Sequence, residues 1–508
     1  MLLAGALPAA AQAHKAKPKP KPKPSPVVTT THAPKHHGPV VQTTLTTYNE
    51  HYTLRSMSPQ YFVKEKKTDR PLLVVDDAVR YQKIIGFGGA MTDSSAWLIQ
   101  DRLTPWQRNR VLQKLFSPTL GIGLNVTRVP IGSSDFTATG VPYTYDDDPP
   151  STDGYCSNPT AGQIPCDPNL DSFSISHDEA YIIPALREML AIDPKVKILS
   201  TIWSPPAWMK ANDNLNDLKG AGTLLPQFYG TLANYFADFL RQYQEQGIPV
   251  WAITPENEPY SDAAFPAMSF PVDDEAQFIT QNLLPTLDSD NLHPEIYGLD
   301  GNSLSYAEGL EQTSAASDLA GIAWHCYGGQ QVIGEFHRLY PHVVNLTSEC
   351  SPGIIPYKAT EAALSGLNND SSLIQLWNLA LDPQGGPVEP PDSGCHNCTG
   401  LITVNPKTRK ATFRLNYYEL GQFSKFIRPG AHRVAMTRLV TEFTSPTPPR
   451  YGVTAGLDDV AAVNPGGRRV VVVYNNSSTE RYFALKWHRQ MFTYKLPPRA
   501  TVTFAWRP

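Results

Sequence analysis

From residue 83 to residue 377 the chain repeats one unit: an apolar run of strand length, then a longer amphipathic stretch. The runs occupy 83–89, 125–131, 197–203, 250–259, 295–299, 321–325, 343–349 and 373–377. Strands joined by helices lie parallel, because a helix is long enough to carry the chain back to the same edge. Eight such units in about 300 residues match one closed (β/α)8 barrel. The intervening stretches support helices. Thr104-Pro105 opens one through Phe116, since Thr caps well and Pro is tolerated at the first helical position. Others are expected at 177–192, 226–246 and 274–287. Within 226–246, Phe228, Leu232, Tyr235, Phe236, Phe239, Leu240 and Tyr243 recur at helical spacing and read as core packing, not a ligand box.

The flanks follow a different period. Residues 431–508 carry short strand-like runs at 434–443, 460–463, 470–474, 482–487 and 501–506, separated by Asn, Gly, Pro and Ser. This is an all-β sandwich. Residues 41–80 are also strand-rich and are expected to complete the same sandwich from the other chain end, with the barrel at 81–430. Residues 14–40 are Lys/Pro-rich, then Thr/His/Pro-rich. Alternating Lys-Pro favours extended polyproline II and forbids helix, so this segment reads as a disordered linker. Residues 1–13 read as the end of a signal peptide: 1–7 are apolar and Ala11-Gln12-Ala13 suits cleavage, although the basic leading region is missing. A secreted, extracellular protein is expected.

Charge narrows the partners. The formal net charge is −4, but residues 1–40 hold six Lys and no acid, which leaves −10 for residues 41–508. An acidic body without a basic patch argues against nucleic acid. The Lys/Pro tail suits contact with an anionic cell surface, though its first reading is a solvated spacer. Six cysteines in an exported chain favour disulfides, while spacing does not prove connectivity. Cys156 and Cys166 are close enough to pair, as are Cys395 and Cys398, which leaves Cys326 and Cys350 for each other. Zinc is the rival reading for Cys395-His396-Asn397-Cys398, but no second Cys/His pair stands at the usual spacing, so no metal is expected.

Two apolar runs end in acids. One finishes Thr254-Pro255-Glu256-Asn257-Glu258-Pro259; the other finishes Thr347-Ser348-Glu349. An unpaired carboxylate is expensive beside a core, whereas the C-terminal ends of barrel strands hold reactive groups. In the strand count these acids end strands four and seven, facing each other across the barrel mouth. Paired carboxyls are what cleavage of a glycosidic bond needs: one protonates the leaving oxygen, the other attacks the sugar or activates water. Strand alternation does not choose between Glu256 and Glu258, which share a face. Either site taken alone reads as a polar strand end. Trp203, Trp377 and Tyr327 lie at other strand ends and could wall a sugar, which offers apolar faces and polar edges. Arg128, Asp135, Asn257 and His325 are polar candidates there; an Arg beside a carboxylate keeps it ionised. His325 alone reads as a satisfied core histidine. Gly86-Phe87-Gly88-Gly89 lacks the spacing of a dinucleotide fingerprint and reads as a tight turn. Neither a G-x-S-x-G elbow nor an H-E-x-x-H helix is present.

Together these motifs resemble glycoside hydrolase family 30, in particular its glucosylceramidases. The likeness rests on residues 86–93 (GFGGAMTD), Arg128-Val129-Pro130, residues 203–210 (WSPPAWMK), Asn257-Glu258-Pro259, Ser348-Glu349, residues 377–381 (WNLAL) and residues 417–427. It runs in order over 81–440. The resemblance implies a (β/α)8 barrel with a sandwich from both chain ends, and a retaining β-glycosidase. Glu258 would be the acid/base and Glu349 the nucleophile. Asp135, Trp203, Asn257 and Trp377 would grip the sugar; Arg128, His325 and Tyr327 would surround the nucleophile. No cofactor or metal is implied.

Two features depart from the glucosylceramidase pattern. The loop at 145–173 carries an extra Cys pair and should sit at the rim of the site, and Cys326 replaces an aromatic. These leave the leaving group open. A β-glucoside such as glucosylceramide is the expected substrate; β-1,6-glucan or xylan is the alternative, and a carbohydrate-binding protein on an inactive barrel is the remaining one.

Overall fold

The structure, a computed structural model, describes residues 38–148, 154–353, 358–389, 394–395, 397–439 and 456–508. The expected leader at 1–13, nearly all of the expected linker at 14–40 and residues 440–443 of one expected strand lie outside these.

Each of the eight apolar runs contributes a strand: β1 (Gly86–Ala90), β2 (Val126–Ile131), β3 (Lys197–Ile202), β4 (Ala252–Thr254), β5 (Glu295–Gly301), β6 (Gly321–His325), β7 (Val344–Glu349) and β8 (Ser371–Leu376). They pair in parallel and in sequence order, with β8 closing onto β1. Val126, Leu199, Ala252, Tyr297, Ala323, Leu346 and Leu373 form one buried cluster, a single side chain from each of β2 to β8. This layer fills the barrel interior as packed core, not as a pore.

Glycines serve the barrel differently from the expected tight turn. Residues 86–89 lie inside β1, not at a turn. A Cβ on Gly88 would meet the Val126 carbonyl oxygen at 2.3 Å, so bare backbone is what lets β2 approach.

The helix Pro105–Phe116 starts as its sequence dictates, with the Thr104 side chain and Gln107 forming a capping box. The helix Tyr229–Glu245 buries Tyr235, Phe236, Phe239, Leu240 and Tyr243, so its aromatic stripe is core. The loop at 145–173 is held by aromatic packing and by hydrogen bonds to its neighbours. Tyr145 packs among Phe173, Tyr235 and Phe239. The hairpin Tyr155–Asn158/Gly162–Pro165 hydrogen-bonds the Lys210 carbonyl and the Gln227 side chain. Aromatic burial thus anchors the start of the segment on the helix Tyr229–Glu245, and its hairpin rests on the chain that follows β3.

The sandwich interleaves both chain ends. Strand Val40–Thr47 pairs with Arg55–Tyr61 and with Ala500–Trp506; strand Leu72–Lys83 pairs with His432–Leu439 and Arg481–Trp487. Alternate residues fill its interior, including Phe62, Leu73, Phe483, Phe492, Phe504 and Trp506. The strand Gln490–Leu496 was not foreseen. Its hairpin turns at His488-Arg489 without Gly, Asn or Asp, and His488 itself takes the left-handed conformation at φ 55°. Thr360 and Thr501 hydroxyls, 3.0 Å apart, and the Gln422 contacts to Thr46 and Thr503 join sandwich to barrel.

Candidate active site

β7 runs to Glu349, which pairs with His325 at the end of β6. Glu258 arrives by another route. β4 stops at Thr254, four residues earlier, and Glu258 adopts φ 49°. That left-handed conformation is costly for a side chain with a Cβ and persists only where neighbours impose it. Here the Asn257 N–H donates to the Ile202 carbonyl at 2.8 Å and the Glu258 N–H to the Asp300 carbonyl at 3.0 Å. The turn also separates the two glutamates that alternation could not. Glu256 is buried, with burial pushing its carboxyl well up against the partial offset of Lys210, whose own value burial lowers to about 7. Glu258 instead faces the mouth.

Asp135, Trp203, Asn257, Glu258, Tyr327, Glu349 and Trp377 line one cavity of about 250 Å³, joined by Phe265, Gly394 and Cys395. Seven of the nine residues singled out in the sequence therefore meet in one hollow. Arg128 and His325 stand behind it, fully buried. No described residue of the 145–173 loop lines it. Trp203 and Trp377 stack at 5.3 Å between centroids with planes 23° apart, and the Arg128 guanidinium lies 4.6 Å from the Trp203 ring centre.

Hydrogen bonds fix the carboxylates. Glu349 accepts from the Tyr327 hydroxyl at 2.6 Å and from Arg128. Glu258 pairs with His325 Nδ1 at 2.8 Å and accepts from Ser261 Oγ at 3.2 Å. The same Nδ1 lies 3.8 Å from Glu349 Oε1. The two Oε1 atoms are thus no farther apart than the sum of those distances, 6.6 Å.

Charge around the pair is arranged in depth. Burial would lower His325, but the Glu349 charge and the hydrogen bonds to Asp300 and Glu258 outweigh it and raise it to about 10. Burial would raise Glu258, but the His325 bond and charge hold its carboxyl below the usual range. The two groups are thus joined by a charge-assisted hydrogen bond. Burial likewise opposes Arg128's charge, and Asp300 and Glu349 more than restore it. Burial and then the Glu349 charge push Tyr327 well up, so it stays a donor. The same two causes push Asp135 up to about 8. Its Oδ2 accepts the Cys395 N–H at 3.1 Å.

Asp300 was missed. It accepts from Arg128 at 2.7 Å and Thr254 at 2.7 Å, from Thr201 at 3.0 Å and from Ser348, and pairs with His325 Nε2 at 3.3 Å. These partners hold its carboxyl far below the usual range despite burial. Its signal was present: residues 296–300 are another apolar run ending in an acid. Phe265 and the Gly394-Cys395 turn were also missed, and they carried no distinguishing pattern.

Comparison with known proteins follows this geometry. Residues 84–427 match the glycosyl hydrolase family 30 TIM-barrel domain, and residues 430–504 its beta sandwich domain. An endo-1,6-beta-D-glucanase of Neurospora crassa is 32% identical over 427 residues, covering 82% of this chain and 83% of that protein. The lysosomal acid glucosylceramidase of Mus musculus is 30% identical over 470 residues, covering 86% and 83%. The solved structure of an endo-β-1,6-glucanase superposes with a TM-score of 0.76 at 26% identity, covering 92% of this chain and 99% of that one.

Proposed function

The chain belongs to glycosyl hydrolase family 30, and on that premise we propose that it is an extracellular endo-β-1,6-glucanase working with retention through Glu258 and Glu349. The separation of at most 6.6 Å between their Oε1 atoms carries the mechanism. A retaining pair needs ~5–5.5 Å, and an inverting pair needs ~6.5–9.5 Å to admit a water between the groups. In the first step the proton held between Glu258 and His325 passes through Glu258 to the glycosidic oxygen. The C1–O bond breaks as a Glu349 oxygen bonds to C1. In the second, Glu258 takes a proton from water, the water oxygen bonds to C1, and the ester to Glu349 breaks. Arg128 and Tyr327 keep Glu349 ionised and aimed, while Asp135, Asn257 and the Trp203–Trp377 stack hold the ring.

The glucan preference rests on the glucanase likenesses and on the rim. Beside Glu258, the short pairing of Asn216–Asp217 with Ala263–Pro266 brings Phe265 into the cavity. Around it stand Asn212, Asp213, Asn214, Asn216 and Asp262, partly or fully exposed. A hydrated polymer meets such a rim at low desolvation cost; the two hydrocarbon chains of a ceramide would not. Three disulfides among the described residues support export.

A glucosylceramidase is the second reading, favoured by the mouse relative and by exposed Leu218 and Tyr260 on the same side. Incubation with β-1,6-glucan, xylan and glucosylceramide, with Glu349→Gln as control, separates them. Gluco-oligosaccharides from β-1,6-glucan with little glucosylceramide cleavage support the proposal; the reverse overturns it.

A further inference from the structure

The disulfide Cys326–Cys350 stands inside the catalytic constellation. Cys326 lies between His325, which pairs with Glu258, and Tyr327, which donates to Glu349. Cys350 directly follows Glu349. Both cysteines are fully buried, and the bond between them ties the ends of β6 and β7 together.

The strand ladder needs help at this point. Trp324 pairs with Thr347, but the next pair is His325 with Glu349, so the register slips by one residue. The slip frees Ser348 to reach Asp300. At the edge of the ladder the Cys326 N–H donates to the Glu349 carbonyl at 3.1 Å. Beyond it the β6 chain turns away through Gly328 and Gly329, the latter at φ 92°. Two carboxylate-holding side chains thus sit on a strand end whose ladder has just been broken by a bulge. On the other side, the Cys350 carbonyl accepts the Trp377 N–H at 2.9 Å, which links the same point to the ring stack. Ser351 Oγ donates to Cys398 Sγ at 3.0 Å, and Cys398 is bonded to Cys395, whose N–H holds Asp135.

We propose that Cys326–Cys350 is a positioning pair for hydrolysis: it holds the Glu349 carboxylate against the Tyr327 hydroxyl, where the bulged ladder alone would let the two drift. The inference rests on Glu349 being the nucleophile. A displacement of ~1 Å at a reacting group costs about 100-fold in rate, so the effect should appear in the chemical step and not only in stability.

The test compares wild type, Cys326→Ala/Cys350→Ala and Cys326→Ala/Cys350→Val, the last refilling part of the sulfur volume in case the first folds poorly. Cys156→Ala/Cys166→Ala serves as a control, because it removes a disulfide that does not line the cavity. The readouts are kcat, KM and the rate of inactivation by a 2-deoxy-2-fluoro-β-glucosyl fluoride, which reports attack by the nucleophile. The proposal expects kcat and inactivation rate to fall by about 10- to 100-fold with KM within about twofold, and the control to keep wild-type kcat. It also expects Tyr327→Phe to lose most of its effect in the background lacking Cys326 and Cys350, because the two act on one contact. A lowered Tm with kcat unchanged, or an undiminished Tyr327→Phe effect, overturns it. Glu349→Gln keeps the two ideas apart: if that variant is active the nucleophile assignment fails, whereas a dead Glu349→Gln beside a fully active cysteine variant removes only the positioning role.

Discussion

Glu258 and Glu349 approach one another through a single imidazole nitrogen, His325 Nδ1, 2.8 Å from the first and 3.8 Å from the second. That shared neighbour keeps two acids together in a buried setting where their repulsion would otherwise protonate or separate them. Arg128 and Asp300 repeat the device one layer deeper, at 2.7 Å with both side chains fully buried.

The separation of roles between Glu256 and Glu258 is directly measurable. Glu258→Gln should lower kcat on a glucan by roughly 10²–10⁴-fold, the usual scale for losing a general acid. Glu256→Gln should retain catalysis within about tenfold, since burial already favours its neutral form. Steady-state kinetics of both variants decide it; equal losses would contradict the assignment.

Asp300 should matter for folding as well as for rate. Asp300→Asn leaves the buried Arg128 with one carboxylate partner fewer and turns an amide NH2 toward either Arg128 or His325 Nε2. Unfolding in denaturant should show a loss on the order of 3–5 kcal/mol, the scale for a buried pair deprived of one partner. A variant with wild-type stability would contradict the role given to Asp300.

Asp135 supplies a pH prediction. Its folded value of about 8 lies above the ordinary value of 3.8, so between these the folded protein binds a proton that the unfolded chain has lost. This contribution to stability is present below about pH 4, falls as pH rises and levels off above about 8. Asp135→Asn keeps the shape and removes the titration. Its Tm relative to wild type should therefore climb between pH 4 and pH 8. A difference that does not vary with pH would contradict the buried, neutral Asp135.

The ring stack should act on the sugar and not on the proton. Trp377→Ala and Trp203→Ala should each raise KM and lower kcat/KM, through lost contact with the apolar ring face. The pH profile of kcat should keep its shape. A shifted limb in either variant would place the tryptophans within the proton network instead.

Much of this architecture was legible because its signals are local. Eight apolar runs of strand length fixed the barrel, and two of them ending in Glu349 and in the 256–258 acids pointed to the mouth. What was not legible depended on backbone geometry or distant packing. Alternation could not rank Glu256 against Glu258, because the strand ends at Thr254 and the chain then turns through a left-handed residue. The packing of the loop at 145–173 was not legible because Tyr145 meets Tyr235 and Phe239 on a helix some 90 residues later. Asp300 escaped notice because only the closed barrel brings Arg128, Thr201, Thr254 and His325 onto one carboxyl. The family likeness named the site residues, and the fold supplied the reason they meet.

The claim that Glu258 and Glu349 form a retaining pair is tested most directly by the anomer first released. Proton NMR during early turnover of a β-1,6-glucan, before mutarotation, should show the new reducing end as the β anomer. Initial release of the α anomer would contradict the double displacement and the assignment of Glu349 as nucleophile.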